Sequence, residues 1–149
     1  MKIEDEIKQR SFVDNYQKAY INLVFTAGWL QLQQSAQFKE YNLTSPQFNI
    51  LRILRGQHPK PSTVNMLIER MLDKTSNASR IVDKLEAKAL VTRKVCPSNR
   101  RAVDIRITEQ GLALLTQLDQ ILSSQQLGLG NLTSEEAAQL SNLLDKIRD

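Results

Sequence analysis

Apolar residues recur every three or four positions along most of this chain, which is the period of amphipathic helices. The first such stretch covers residues 3–38 without a proline and predicts one long helix. Its apolar surface is wider than one stripe, so we expect it to pack on two sides, against its own domain and against a second chain. An ordinary core helix within one chain is the alternative. Four residues of its seam are predicted dimerisation contacts: Val13, Tyr16, Tyr20 and Leu23.

The middle of the chain predicts two helices joined by a tight turn. A helix that opens near Thr44, where Thr44 and Gln47 match a capping box, precedes this pair. The first helix of the pair covers about residues 62–71. The second follows Asp73, whose carboxylate we predict to accept from the backbone N–H of Ser76 as an N-cap. The short connection between them favours a steep crossing, which is the arrangement of a helix-turn-helix.

The residues after this pair change to the alternating period of a β-hairpin. Strands are predicted at residues 90–96 and 102–107, because both segments are rich in β-branched residues. Residues 97–100, Pro-Ser-Asn-Arg, have the composition of a turn. Two helices followed by such a hairpin form a winged helix-turn-helix.

The second helix of the pair and the hairpin carry the predicted DNA-reading surface. The helix has an apolar stripe through Ala78, Val82 and Leu85, and its other face begins with short hydroxyl side chains that let a helix enter a major groove. Serine and threonine near a helix start are otherwise ordinary caps. An arginine on a projecting hairpin suits a narrow minor groove. The predicted DNA contacts are Thr75, Ser76, Ser79, Arg80, Lys84, Arg93, Lys94, Ser98, Asn99, Arg100 and Arg101.

The excess positive charge lies on this same surface. The chain has 20 Lys and Arg residues against 16 Asp and Glu, a net charge of +4. Residues 73–108 hold nine of the basic and four of the acidic residues, or +5, which leaves −1 for the remainder. Such a concentration is expected of a duplex-binding surface. A winged-helix module that binds an acidic protein would carry the same charge, and sequence-selective duplex binding would separate the two functions.

Two helices are predicted after the hairpin. Thr108 caps the first, which ends near Gln126, and Thr133 with Glu136 forms a capping box for the second. The seam of the last helix supplies three further predicted dimerisation contacts: Leu140, Leu144 and Ile147.

Four segments of the chain resemble the multiple-antibiotic-resistance-regulator (MarR) family of bacterial transcription factors. They are residues 71–80, 85–94, 99–101 and 105–111. The resemblance implies a mostly α fold with a small β-hairpin wing, one domain over residues 1–149, and a winged helix-turn-helix at residues 44–108. It also implies a homodimer, with residues 3–38 and 110–149 as the dimerisation helices, that binds a pseudo-palindromic DNA operator. A small organic effector, often aromatic, would bind between the dimerisation helices and the DNA-reading unit and release a repressor from DNA.

The wing departs from the family's usual pattern at one position. That pattern reads Asp-Arg-Arg, where the Asp braces the second Arg, and residues 99–101 read Asn-Arg-Arg. Asn99 can hydrogen-bond Arg101 but supplies no charge, so the bracing of Arg101 is weaker than the family pattern implies.

The remaining chemistry predicts no cofactor, no metal site and no enzyme active site. The chain has one histidine, His58, in a loop sequence, and one cysteine, Cys96, and its five glycines are scattered. A thiol sensor is an alternative function, since Lys94 and Arg100 could lower the pKa of Cys96, although a single thiol at a strand end is more often inert packing. The absence of a long apolar run and of a signal-peptide core predicts a cytoplasmic protein.

Overall fold

A computed structural model describes residues 1–96 and 98–149, and the side chains of residues 96 and 99–101 lie outside the described part. Helices make up most of the chain, and an antiparallel β-hairpin follows the fifth of them. This confirms the predicted mostly α fold with a hairpin wing. The chain divides into two compact units, Met1–Ser45 and Pro46–Asp149. The assignment of residues 1–149 to one domain stays a prediction.

The first unit contains two helices where the sequence predicted one. They are α1, Ile3–Glu6, and α2, Asn15–Lys39. Lys8 takes a left-handed backbone conformation with φ 57°. Asp14 then caps α2 by accepting from the backbone N–H of Gln17 at 2.8 Å, while Gln17 Oε1 accepts from the backbone N–H of Val13 at 2.8 Å. The prediction of a continuous helix over residues 3–38 is therefore wrong, because these reciprocal bonds fix a helix start at Asn15.

The second unit contains the hairpin and the other helices. The first of these, α3, begins at Ser45, one residue before the boundary of the unit. The elements are α3 Ser45–Gln57, α4 Val64–Arg70, α5 Ala78–Ala87, β1 Val91–Cys96, β2 Asn99–Ile107, α6 Glu109–Ser124, a 3-10 turn Gln126–Gly128 and α7 Ser134–Ile147. Two predicted helix starts are confirmed. Thr108 accepts from the backbone N–H of Gly111 at 3.1 Å, and Thr133 and Glu136 form a complete capping box.

An apolar core holds the second unit together. The stripe predicted on α5 is buried at Ala78, Val82 and Leu85. Every residue of α7 is described, and none of them is buried. The core therefore comes from α3 to α6 and the hairpin, through Ile50, Leu51, Leu54, Leu67, Val82, Leu85, Val91, Ile105, Ile107, Leu115, Leu118 and Leu122.

The hairpin is fixed to the helices by its inner residues. Val91 pairs with Ile107 across the antiparallel ladder, and both are buried together with Ile105. Ser62 exchanges two backbone hydrogen bonds of 2.8 Å with Ile105. Ser62 therefore extends the ladder, and α4 begins at Val64, two residues later than predicted.

The corner between α5 and β1 is a Schellman motif with an alanine where glycine is usual. The backbone N–H of Leu90 donates to Leu85 O at 3.0 Å, and that of Ala89 donates to Glu86 O at 2.9 Å. Ala89 has a φ of 60°, in the left-handed region. A Cβ in this conformation is strained, because it lies close to the following carbonyl oxygen.

Replacing Ala89 with glycine should raise the free energy of unfolding by about 1 kcal/mol, since glycine removes the left-handed strain. Urea unfolding followed by circular dichroism measures the change. The matched control is Ala87→Gly at the last residue of α5. This control should lower the same free energy by about 0.5–1 kcal/mol because its backbone is helical. A loss of stability in both variants would contradict the strain at Ala89.

Candidate nucleic-acid interface

The exposed helix of the helix-turn-helix, α5, begins later than predicted. Asn77 is its N-cap and accepts from the backbone N–H of Arg80 at 3.1 Å. The prediction of Asp73 as the N-cap is wrong. Thr75 and Ser76 therefore lie in the connection before α5, and the first helical residues available to a DNA groove are Ser79 and Arg80.

The connection between α4 and α5 is longer than predicted and is internally hydrogen-bonded. Asp73 Oδ1 accepts from the backbone N–H of Thr75 at 2.9 Å and from its hydroxyl at 2.6 Å. These hydrogen bonds from Thr75, joined by the Ser76 side chain, lower the pKa of Asp73. Lys74 Nζ donates to the carbonyl oxygens of Ile68, at 3.2 Å, and Glu69, at the end of α4. Asp73 and Lys74 thus fix the turn from within.

One face of α5 is free for contact with a ligand. Ser79, Arg80 and Lys84 are exposed on it, opposite the buried Val82 and Leu85. The sequence predicted all three exposed residues as DNA contacts. The structure brings them together on two turns of one helix, with a cap that holds the first turn in place.

The wing projects from the same unit. Lys94 and Val95 on β1 are exposed, as is Ser98. β2 begins at Asn99, three residues earlier than predicted, and the pairing register shifts between Val95 and Cys96. The side chains of Asn99, Arg100 and Arg101 lie outside the described part, so their roles at DNA stay predictions.

Arg93, also predicted to contact DNA, is paired with two acidic residues of α5. Its Nη2 lies 2.5 Å from Asp83 Oδ1, and its Nε lies 4.0 Å from Glu86 Oε2. Nη2 also donates to the backbone carbonyl of Ser79 at 3.4 Å. The side chain of Arg93 is 27% exposed. Sequence reasoning missed this cluster, because β1 and α5 meet only in the folded chain.

Two other polar contacts connect the elements behind α5. Lys88 Nζ donates to the buried side chain of Gln47 on α3 at 3.0 Å. Burial, with a smaller contribution from Lys84, lowers the pKa of Lys88. Arg55 of α3 forms an ion pair with Asp119 of α6, in which Arg55 Nη1 lies 2.5 Å from Asp119 Oδ2. The end of α5 is thus tied to α3, and α3 is tied to α6. Of these four side chains, the sequence had indicated a role for Gln47 alone, as part of a capping box.

The predicted dimerisation residues lie on apolar surfaces that the chain itself leaves open. In the first unit, Val13 and Tyr16 are each 86% exposed and Tyr20 is 68% exposed. In the second unit, Ile147 of α7 is 67% exposed. Leu23 and Leu140 are also exposed, and Leu144 is half-buried. Aromatic and aliphatic side chains at this exposure are typical of a surface that another chain covers.

Other candidate chemistry is limited within the described ranges. Among these residues, no three His, Cys, Asp or Glu side chains are grouped as a metal ion requires. No helix in residues 1–96 or 98–149 is long and apolar enough to cross a membrane. His58 is exposed after α3. The side chain of Cys96 lies outside the described part, so the thiol-sensor hypothesis is untested.

Residues 43–103 match the model of the MarR family. These residues include α4, the connection, α5 and most of the hairpin, so the matched region contains every predicted DNA contact. Among curated proteins, the transcriptional regulator MgrA of Staphylococcus aureus is 28% identical over 110 residues, which cover 74% of this chain and 73% of MgrA.

Two solved structures share the fold. The organohalide-sensing regulator RdhR, in a form bound to 2,4-dichlorophenol, has a TM-score of 0.79 and 22% identity, over 91% of this chain and 80% of that one. MepR of Staphylococcus aureus, in complex with DNA, has a TM-score of 0.73 and 21% identity, over 92% of this chain and 97% of that one. Residues 43–103 of the chain therefore match the MarR family's model, and the chain is similar to the transcriptional regulator MgrA over 74% of its length.

Proposed function

We propose that the protein is a sequence-specific duplex DNA-binding repressor that acts in the cytoplasm as a homodimer. The observation that carries this proposal is the exposed polar face of α5, with Ser79, Arg80 and Lys84 standing over a buried apolar face. A helix anchored on one side and polar on the other can lie in a major groove without disturbing the core. The excess of positive charge in residues 73–108 attracts the phosphate backbone.

The side chains on this face are suited to different parts of DNA. Arginine can donate two hydrogen bonds to guanine O6 and N7, so Arg80 is the candidate for base recognition. Ser79 is short and can reach a base edge or a phosphate. Lys84, a turn further along α5, is a point charge suited to phosphate. Arg101 of the wing is proposed, from the sequence, to enter the adjacent minor groove.

A homodimer accounts for the open apolar surfaces on α2 and α7. A second copy of the chain would cover the exposed Tyr16, Tyr20 and Ile147. Two-fold symmetry would then present two α5 helices to half-sites about 34–36 Å apart, which is one turn of B-DNA. The operator is therefore proposed to be pseudo-palindromic.

A small aromatic compound is the proposed effector. The fold neighbour RdhR binds 2,4-dichlorophenol, and the resemblance of this chain to the MarR family implies the same class of ligand. Such an effector would bind the DNA-free conformation more tightly than the DNA-bound one. The difference between these two binding free energies is the amount by which the effector weakens operator binding. Release of the repressor is the proposed consequence.

Arg80→Ala should reduce the preference for a specific sequence. The probes are a duplex selected from a random-sequence pool by the parent protein and a scrambled duplex of equal length and composition. Loss of a base-edge contact should lower the ratio of the two affinities by about tenfold, within the 1–3 kcal/mol of such contacts. Fluorescence anisotropy at fixed salt measures both affinities.

The matched control is Arg148→Ala, which removes the same charge from an exposed residue after α7 that is paired with Asp145. It should change either affinity by no more than about twofold. Equal binding of both duplexes by the parent protein would refute sequence-specific recognition. Equal weakening of both by Arg80→Ala would make Arg80 a phosphate ligand.

A further inference from the structure

We infer that Arg93 is a positioning residue, which fixes the wing strand β1 to the recognition helix α5 through Asp83 and Glu86 and does not itself bind DNA. The inference rests on the proposed DNA-binding function and replaces the predicted role of Arg93 as a direct contact. Such positioning would keep a constant separation between the wing and α5, the two parts proposed to enter adjacent grooves.

One guanidinium reaches three points along α5. Nη2 lies 2.5 Å from Asp83 Oδ1 and 3.4 Å from the backbone carbonyl of Ser79, and Nε lies 4.0 Å from Glu86 Oε2. Ser79, Asp83 and Glu86 are spaced by four and three residues, so they lie on one face of the helix. Arg93 therefore contacts two consecutive turns of α5, and Ser79, Asp83 and Glu86 remain exposed beside it.

Arg93 is less accessible than its acidic partners. Its side chain is 27% exposed, against 60% for Asp83 and 49% for Glu86. Its Nε is buried and, among the described residues, has no hydrogen-bond partner. Contact with a phosphate would require Arg93 to leave two carboxylates and a carbonyl oxygen. The planar fork of arginine favours the contacts already made, because its donors point in fixed directions.

The ion pairs complete the connection between the wing and the helix. The Schellman corner joins α5 to β1 at Ala89 and Leu90 and is one fixed point. Arg93, the third residue of β1, adds a second point further along the strand. Two fixed points define the angle between the strand and the helix, whereas one permits rotation. The same pairs neutralise Asp83 and Glu86, which would otherwise repel the phosphates beside α5.

Asp83→Asn distinguishes positioning from direct contact by the sign of its effect. Removal of a negative charge near DNA should tighten binding if Arg93 is free to contact phosphate. If Arg93 acts through Asp83, the variant should bind the selected duplex about tenfold more weakly, or about 1.4 kcal/mol. Arg93→Gln should show a similar loss. The double variant should be no weaker than either single variant, because one interaction is removed in all three.

The salt dependence of binding supplies the second measurement. Loss of a phosphate contact lowers the magnitude of the log–log salt slope by about 1 per subunit. We expect Arg93→Gln to leave this slope unchanged, and thermal unfolding should show the full-length variants to be folded at the assay temperature. Matched controls are Arg148→Gln and Asp145→Asn, which break an exposed ion pair at the end of α7. These controls should alter affinity by no more than about twofold.

The positioning role would be overturned by tighter binding of Asp83→Asn, by a reduced salt slope in Arg93→Gln, or by additive losses in the double variant. Binding of every variant with the parent's affinity would reduce the cluster to an ordinary surface ion pair and would also overturn it. Failure of the proposed function is a separate outcome, because the parent protein itself would then bind the selected and scrambled duplexes equally.

Discussion

Replacing Gly111 with alanine should lower the free energy of unfolding by about 3 kcal/mol, the upper end for overpacking a core. A Cβ at this position would lie 2.5 Å from the backbone oxygen of Leu90 and 2.7 Å from Ile107 Cγ1. Neither neighbour can easily move. Leu90 O accepts from the backbone N–H of Thr108 at 3.0 Å, and Ile107 is buried in the hairpin. The clash would separate the start of α6 from the corner between α5 and β1.

Urea unfolding at equilibrium measures the loss, and Gly56→Ala is the matched control. Gly56 lies near the end of α3, and a Cβ added there would meet nothing within 4 Å. This control should raise the free energy of unfolding by up to about 1 kcal/mol, because alanine favours helix over glycine. A loss below about 0.5 kcal/mol in Gly111→Ala, small beside the usual overpacking penalty, would mean that α6 can shift without cost.

Helix starts were predictable where one local signal had no competitor. Thr133 and Glu136 form the predicted capping box, and Thr108 caps α6, because both signals depend on residues three positions apart. The start of α5 was misplaced because Asp73 and Asn77 are both good caps. Asp73 bonds instead to Thr75 in the turn, which leaves Asn77 to close the helix.

The long first helix was misjudged for a related reason. The stretch over residues 3–38 has no proline, and apolar residues recur at helical spacing from Val13 onward, which favours one helix. Periodicity does not report where the backbone hydrogen bonds of a helix begin. Asp14 and Gln17, three residues apart, have the spacing of a helix start, but the prediction relied on the apolar pattern and did not use them. In the structure, Asp14 accepts from the backbone N–H of Gln17, which settles the start of α2.

The candidate interface was predictable as a surface but not in its internal contacts. Exposure of Ser79 and Arg80 follows from the apolar stripe on the other side of α5. The pairing of Arg93 with Asp83, like that of Arg55 with Asp119, joins residues on different elements. Sequence spacing gives no distance between such elements. Basic residues that bind DNA therefore cannot be distinguished, in the sequence, from basic residues that pair with the protein's own carboxylates.

Tyr20→Glu should convert a dimer into monomers and lower affinity for the selected duplex by about 100-fold or more. A dimer binds two half-sites at once, and joining two binding units raises the overall affinity by at least that factor over one unit alone. Tyr20 is 68% exposed on α2, in line with the still more exposed Tyr16. A charge at such an exposed position leaves the packing of its own chain intact. In a dimer it would be buried without a partner, which is strongly unfavourable.

Light scattering at micromolar concentration measures the oligomeric state, and fluorescence anisotropy measures DNA binding. The matched control is Asn22→Glu, which adds the same charge to an exposed polar residue less than one turn from Tyr20. Asn22 is about 160° around the helix from Tyr20, so it lies off the apolar seam. Because that side chain is already polar, the control should remain dimeric and bind the selected duplex within about twofold of the parent. A parent protein that is monomeric at this concentration, or a Tyr20→Glu variant that stays dimeric, would show that the apolar face of α2 does not hold two copies together.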